Sequence, residues 1–214
     1  MHVVITGANR GIGRALGDLY TAAGHEITGT ARHTPGYLPL DVTQPAQFAN
    51  LSTAMADRPV DLLICNAGAY LDQGQQLENG YPPQMWADMM ATNVTGVFLT
   101  IQSLLPNLRL SKSAKIAILS SQMASHTRAP GGSYIYRASK AAVLNLGRNL
   151  ATDLKPEAIS VGIYHPGWVQ TDMGGATADI TVQEATAGLA ARFDALGPAT
   201  TGCFETWDGR PHAY

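Results

Sequence analysis

The sequence predicts an α/β protein built on one doubly wound parallel sheet of about seven strands, with helices on both faces. Three observations lead there. Short apolar runs alternate with helical patterns along nearly the whole chain, the order that produces βαβ units. Val60-Asp61-Leu62-Leu63-Ile64-Cys65 is almost continuously apolar, as a parallel strand buried on both faces must be. A glycine-rich turn, Gly7 to Gly13, stands between the first strand and the first helix.

At 214 residues the chain is expected to form one domain, residues 1–214, with a substantial core. Charged residues make up 14% and the formal net charge is −2, with no basic run, so nucleic acid is not an expected partner. No apolar stretch reaches the roughly 18 residues of a membrane span. No basic, apolar leader precedes the first strand, and a cytoplasmic setting is expected. There Cys65 and Cys203, both in apolar strand-like segments, are read as reduced thiols and not a disulfide. The scattered histidines show no metal-ligand spacing.

Taken in order, Val3-Val4-Ile5 is the first strand, and Ile12, Leu16, Leu19, Tyr20 and Ala23 mark the helix that Gly24 ends. Between them runs Thr6-Gly7-Ala8-Asn9-Arg10-Gly11-Ile12-Gly13. A strand before it and a helix after it are the context of a Rossmann-type dinucleotide site. There the glycines let backbone approach a pyrophosphate at the helix N-terminus. The second strand, His25 to Ala31, ends with no carboxylate for a ribose hydroxyl; Arg32 follows instead, and Arg10 lies in the turn. Two arginines and no acid favour a 2′-phosphate, hence NADP(H), although Arg32 as a plain solvated loop residue stays open. Only His33-Thr34-Pro35-Gly36 precedes the next strand-like stretch, so the second crossover helix is missing. Tyr37 to Asp41 is that strand, placed near an edge because Pro39 cannot donate to a ladder. Gln44 to Ala56 is helical in pattern, and the buried strand 60–65 ends in Asn66-Ala67-Gly68, small residues that leave room for a ligand over the sheet. Residues 69–83 form a polar loop able to wall a pocket. The long helix from about Gln84 to Leu105 carries Asn93 and Gly96 in its middle, an odd place for both.

Lys115 to Ser121 is the next strand, and after a Pro130-Gly131-Gly132 loop comes Tyr134-Ile135-Tyr136-Arg137-Ala138-Ser139-Lys140. On a helix Tyr136 and Lys140 share a face. A phenol near pKa 10 is a reluctant acid, and a neighbouring ammonium is expected to bring it toward working pH, with a nearby serine hydroxyl holding a carbonyl oxygen. Taken alone, the pair also fits a half-buried tyrosine beside a solvated lysine. The helix runs to Lys155, where Pro156 stops it; Ile159 to His165 is a strand, left through Pro166-Gly167-Trp168-Val169-Gln170-Thr171. Thr181 to Leu196 is a helix with a Thr181/Glu184 capping box, and Gly202 to Trp207 closes the sheet.

In this order and spacing the residues Thr6-Gly-x-x-x-Gly-x-Gly13, Asn66-Ala67-Gly68, Asn93, Ser121, Tyr136-x-x-x-Lys140 and Pro166-Gly167 resemble the short-chain dehydrogenase/reductase family over nearly the full chain. The Trp168-Val-Gln-Thr-Asp172 run and the Trp207-Asp-Gly ending look most like its small carbonyl-reductase (sniffer-like and C-factor-like) branch. The resemblance implies an NADPH-dependent reductase of small aldehydes and ketones. Tyr136 would act as acid or base, Lys140 would support it, Ser121 would hold the substrate oxygen, and Asn93 would support a water leading to Lys140. It implies cofactor contacts from Gly7, Asn9, Arg10, Gly11, Ile12, Gly13, Arg32, Asp41, Val42, Asn66, Ala67, Gly68, Tyr136, Lys140, Pro166, Gly167, Val169 and Thr171. A cofactor-binding signalling protein with little turnover is the competing implication. The family's habit of pairing its long helices implies a homodimer or homotetramer through the helices bearing Asn93 and Tyr136. Met85, Met89, Val97 and Ile101 are apolar enough to serve there, or they face only the chain's own sheet.

Overall fold

The computed structural model describes all 214 residues. Strands β1 (His2–Ile5), β2 (Glu26–Ala31), β3 (Leu38–Pro39), β4 (Leu62–Cys65), β5 (Lys115–Leu119), β6 (Ser160–His165) and β7 (Phe204–Thr206) form one parallel sheet in the order β3-β2-β1-β4-β5-β6-β7. Helices α1 (Gly11–Ala22), α2 (Gln47–Met55), α3 (Pro83–Met90), α4 (Gly96–Arg109), α5 (Tyr134–Leu154) and α6 (Val182–Ala195) cover it. The Arg32–Tyr37 connection holds no helix, and β3 is the short edge strand that Pro39 demands.

Each apolar strand serves two layers because successive side chains leave opposite faces. Val4, Leu63, Cys65, Ile116, Ile118 and Val161 pack with α2, α4 and α5; Val3, Ile5, Leu62, Ile64, Ala117 and Tyr164 pack with α1 and α6. Burial on both faces is why these runs lack a polar alternation. Thr181 accepts from the Glu184 amide and Glu184 reaches back to the Thr181 amide, the expected capping box of α6. Pro156 does not end its helix outright, since a 3₁₀ turn, Lys155–Glu157, carries the chain on. Neither cysteine is bonded: Cys65 is buried and Cys203 half-buried. No helix is long and apolar enough to cross a membrane.

The long helix is interrupted where a continuous one is expected, and of the two alternatives for its apolar residues the chain's own core takes them. A π-helical turn, Ala91–Thr95, interrupts it between α3 and α4 and puts Asn93 at its centre. Met89, Val97 and Ile101 do not present an outer face: all three are buried, Val97 and Ile101 in the chain's own main core. Gly96 follows from packing, as a Cβ there would lie 2.8 Å from the Val42 carbonyl oxygen and Cβ.

Gly147 of α5 faces β6, where a Cβ would lie 2.6 Å from Ile163 Cγ1. An open helical site gains about 1 kcal/mol on Gly→Ala. Gly147→Ala is expected to reverse that sign and cost about 1–3 kcal/mol through overpacking, measured by urea unfolding.

Candidate active site

Strand order reverses between β1 and β4, and the crevice outside the carboxyl ends at such a point is where open α/β sheets take ligands. A cleft of about 640 Å³ lies there, walled by the glycine turn, the ends of β2, β4 and β5, and α5. Its floor is a reciprocal network. The Thr6 hydroxyl accepts the Asn66 and Ala67 amides, each at 3.1 Å, and the Asn66 side chain donates to the Thr6 and Gly7 carbonyls at 2.9 and 3.0 Å. Gly7 and Gly11 hold φ of +65° and +53°, which the turn requires and side chains resist. Gly13 does not line the cleft. A Cβ on it would sit 2.4 Å from both the Asn66 amide nitrogen and the Gly7 carbonyl oxygen, so its role is to let α1 close on this floor.

Asn9 donates to Thr34 at 3.0 Å, tying the turn to the β2–β3 connection. Arg10 and Arg32 both line the cleft but differ in state. Arg10 is paired with Asp172 at 2.7 Å across the cleft mouth, whereas Arg32 has no carboxylate within ion-pair distance. Asp41 folds back on Thr43, accepting its amide at 2.9 Å and its hydroxyl at 2.8 Å. Burial would raise its carboxyl, but the Thr43 donors, with Arg32 and His33 nearby, outweigh burial and hold it below the usual range. Ile12, Val42, Ala67, Gly68, Pro166 and Thr171 also face the cleft. Besides Gly13, two expected contacts do not. Val169 is buried and bridges to Ile180, and Gly167 faces a separate hollow of about 510 Å³ beside Trp168 and Trp207.

Tyr136 and Lys140 reach the cleft from the first turns of α5, one helical turn apart, and both are largely buried. The lysine ammonium donates to the Leu119 carbonyl at 2.9 Å and lies 5.6 Å from the tyrosine ring centre. Gly68 opens the space beside it: a Cβ there would be 3.6 Å from Lys140 Nζ. The expectation of a phenol eased by the ammonium is overturned. Burial pushes Tyr136 up to about 12; the Ser121 hydroxyl offsets this in part, and Tyr70 and Asp72 add to it. Burial also brings Lys140 down to about 8. Desolvation acts against either charge and is the largest cause at both groups. Ser121, two residues beyond β5, accepts the Met123 amide at 3.1 Å; its neighbour Ser120 is the serine that lines the cleft.

Asn93 is engaged through its side chain. It accepts the Ala69 amide at 2.8 Å and donates to the Ala69 carbonyl at 2.9 Å and the Ser139 hydroxyl at 3.0 Å. Ser139 in turn donates to the Tyr136 carbonyl at 2.8 Å. The π turn therefore braces the loop after β4 and the first turns of α5 together. Sequence reasoning missed Ser139, Tyr70 and Asp72. Tyr70 stacks on Tyr136 with ring centres 4.2 Å apart, and Asp72 caps α5 from the loop. Spacing carries no signal for the latter two, because a tyrosine and an acid in a polar loop read as solvated.

The short chain dehydrogenase family model matches residues 1–180. The C-signal protein of Myxococcus xanthus is 36% identical over 162 residues, covering 74% of this chain and 95% of that one. Among solved structures, an NADPH-bound carbonyl reductase from chicken fatty liver superposes with a TM-score of 0.90 at 28% identity, over 100% of this chain and 98% of that one. The carbonyl reductase Sniffer of D. melanogaster gives 0.91 at 26% identity, over 100% and 99%.

Asn93→Leu would leave the Ala69 amide and carbonyl and the Ser139 hydroxyl without this partner in a buried setting. A loss of about 1–3 kcal/mol is expected by urea unfolding.

Proposed function

Because the chain belongs to the short-chain dehydrogenase family, in its small carbonyl-reductase branch, we propose that it is an NADPH-dependent reductase converting the carbonyl of small aldehydes and ketones to an alcohol. The observation that carries this reading is that Tyr136 and Lys140 open on the same cleft as the glycine turn, with the Ser121 hydroxyl hydrogen-bonded to Tyr136.

The residues present fit a dinucleotide. Gly7 and Gly11 bring bare backbone to the cleft, and the only atoms a Cβ on Gly11 would meet are those of Thr171, at 3.5 Å or more. The end of β2 offers Arg32 outside any ion pair, which favours a 2′-phosphate. Gly7, Asn9, Arg10, Gly11 and Ile12 would hold the phosphates; Arg32, Asp41 and Val42 the adenosine half; Ala67, Gly68, Lys140, Pro166 and Thr171 the nicotinamide half. NADPH, when bound, supplies the hydride.

Tyr136 holds its proton at Oη throughout the neutral range and donates it to the carbonyl oxygen as the carbon–oxygen double bond becomes single. The Ser121 hydroxyl hydrogen-bonds that oxygen and orients it. Lys140 as an ammonium stabilises the phenolate left behind, and the phenolate takes a proton back from solvent before the next turnover. A second reading, a cofactor-binding signalling protein with little turnover, draws on the likeness to C-signal. Binding alone needs the glycine turn but not Ser121, Tyr136 and Lys140 together, which favours the enzyme.

The test is NADPH consumption against a panel of aldehydes, ketones and quinones. Turnover should fall at least about 10²-fold in Tyr136→Phe while NADPH still binds. NADPH binding without turnover on any compound would favour the signalling protein. Lys140 carries its charge below about 8 and loses it above, so reduction is expected to slow as pH rises through about 8. Asp172→Asn releases Arg10 from an exposed pair worth less than about 1 kcal/mol. Because Arg10 faces the phosphates common to both cofactors, NADPH and NADH binding should each tighten about twofold in that variant, read by fluorescence titration.

A further inference from the structure

Asp72 is 0% exposed although it lies in the polar-looking loop 69–83. One carboxylate oxygen accepts the amides of Ile135 at 2.8 Å and Tyr136 at 3.3 Å. These are amides of the first turn of α5, donors that a helix leaves unpaired and that a serine or aspartate at the cap position ordinarily takes. Ser133, which occupies that position, makes no such bond and is held at φ +46°. Its hydroxyl instead meets Tyr70 Oη at 2.6 Å. The cap of α5 is thus supplied from another segment, sixty-three residues earlier for Ile135. The second Asp72 oxygen is buried with no partner, an arrangement that costs free energy.

We propose that Asp72 is a positioning residue whose buried carboxylate anchors the first turn of α5 and places a negative charge beside Tyr136. The role rests on the reductase reading for its consequence but not for its geometry. The groups acting on the phenol are Tyr70 and Asp72 from this loop, Ser121 from just beyond β5, and Lys140 from α5 itself; α3 contributes only the apolar Met85 and Met89. Asp72 is the one anion in that set. It therefore makes Tyr136 a stronger base for alcohol oxidation and restores its proton quickly after reduction. It also ties this chemistry to the loop bearing Tyr70 and Leu71, which wall the cleft.

The experiment compares Asp72→Asn, which keeps an oxygen for the two amides but loses the charge, with Asp72→Ala, which loses both. Tyrosinate absorbance is titrated in each, with Tyr136→Phe assigning the signal. In Asp72→Asn the Tyr136 titration, and the rising limb of the pH profile for alcohol oxidation, should both move down by about one pH unit. In Asp72→Ala, kcat should fall about tenfold further than in Asp72→Asn with KM changed less than about twofold, as for lost orientation. A Tyr136 titration in Asp72→Asn identical to that of the native protein would overturn the proposal, whatever the turnover. The shift appearing in a protein that reduces nothing would uphold the Asp72 role and remove the reductase reading.

Discussion

The reciprocal bonding of Thr6 and Asn66 is the constraint on which the site depends. It fastens the end of β1 to the end of β4, the two strands between which the chain reverses its direction of winding. Two parallel strands diverge beyond their last ladder bonds, and without this clamp the glycine turn would have several conformations open to it. The Asn66 amide gives both its protons to turn carbonyls, and Gly13 lets the helix close over that amide. Asn66 is therefore part of the floor that shapes the cleft, and the backbone of the turn is left to face a ligand.

A second brace runs across the Tyr136 end of the cleft. Asn93 holds Ala69 and Ser139, Ser139 holds the Tyr136 carbonyl, and Asp72 holds the first amides of α5. The π turn is what allows the first of these: the extra residue in one helical turn swings Asn93 away from the spacing an α-helix would impose. Rigid support of this kind suits groups that must be oriented within fractions of an ångström.

Burial sets the electrostatics. Withdrawing Tyr136 and Lys140 from water disfavours phenolate and ammonium alike, so the phenol rises and the amine falls. His165 shows the same effect outside the cleft: burial, with His212 and Arg128 nearby, takes it down to about 4.

Periodicity and local chemistry were enough for the sheet, the glycine turn, the edge strand at Pro39, the α6 capping box, and the face shared by Tyr136 and Lys140. Each of these depends on residues within one or two turns of each other, where side-chain spacing and backbone preference act directly. The π turn, the burial of Val97 and Ile101, the turning away of Gly167 and Val169, and the reversed shift at Tyr136 were decided only by the folded chain. Desolvation and packing depend on what arrives from distant segments, and no local pattern records it. Asp72 is the clearest instance: its residue type reads as solvent-facing, and only the docking of its loop against α5 turns it into a buried cap.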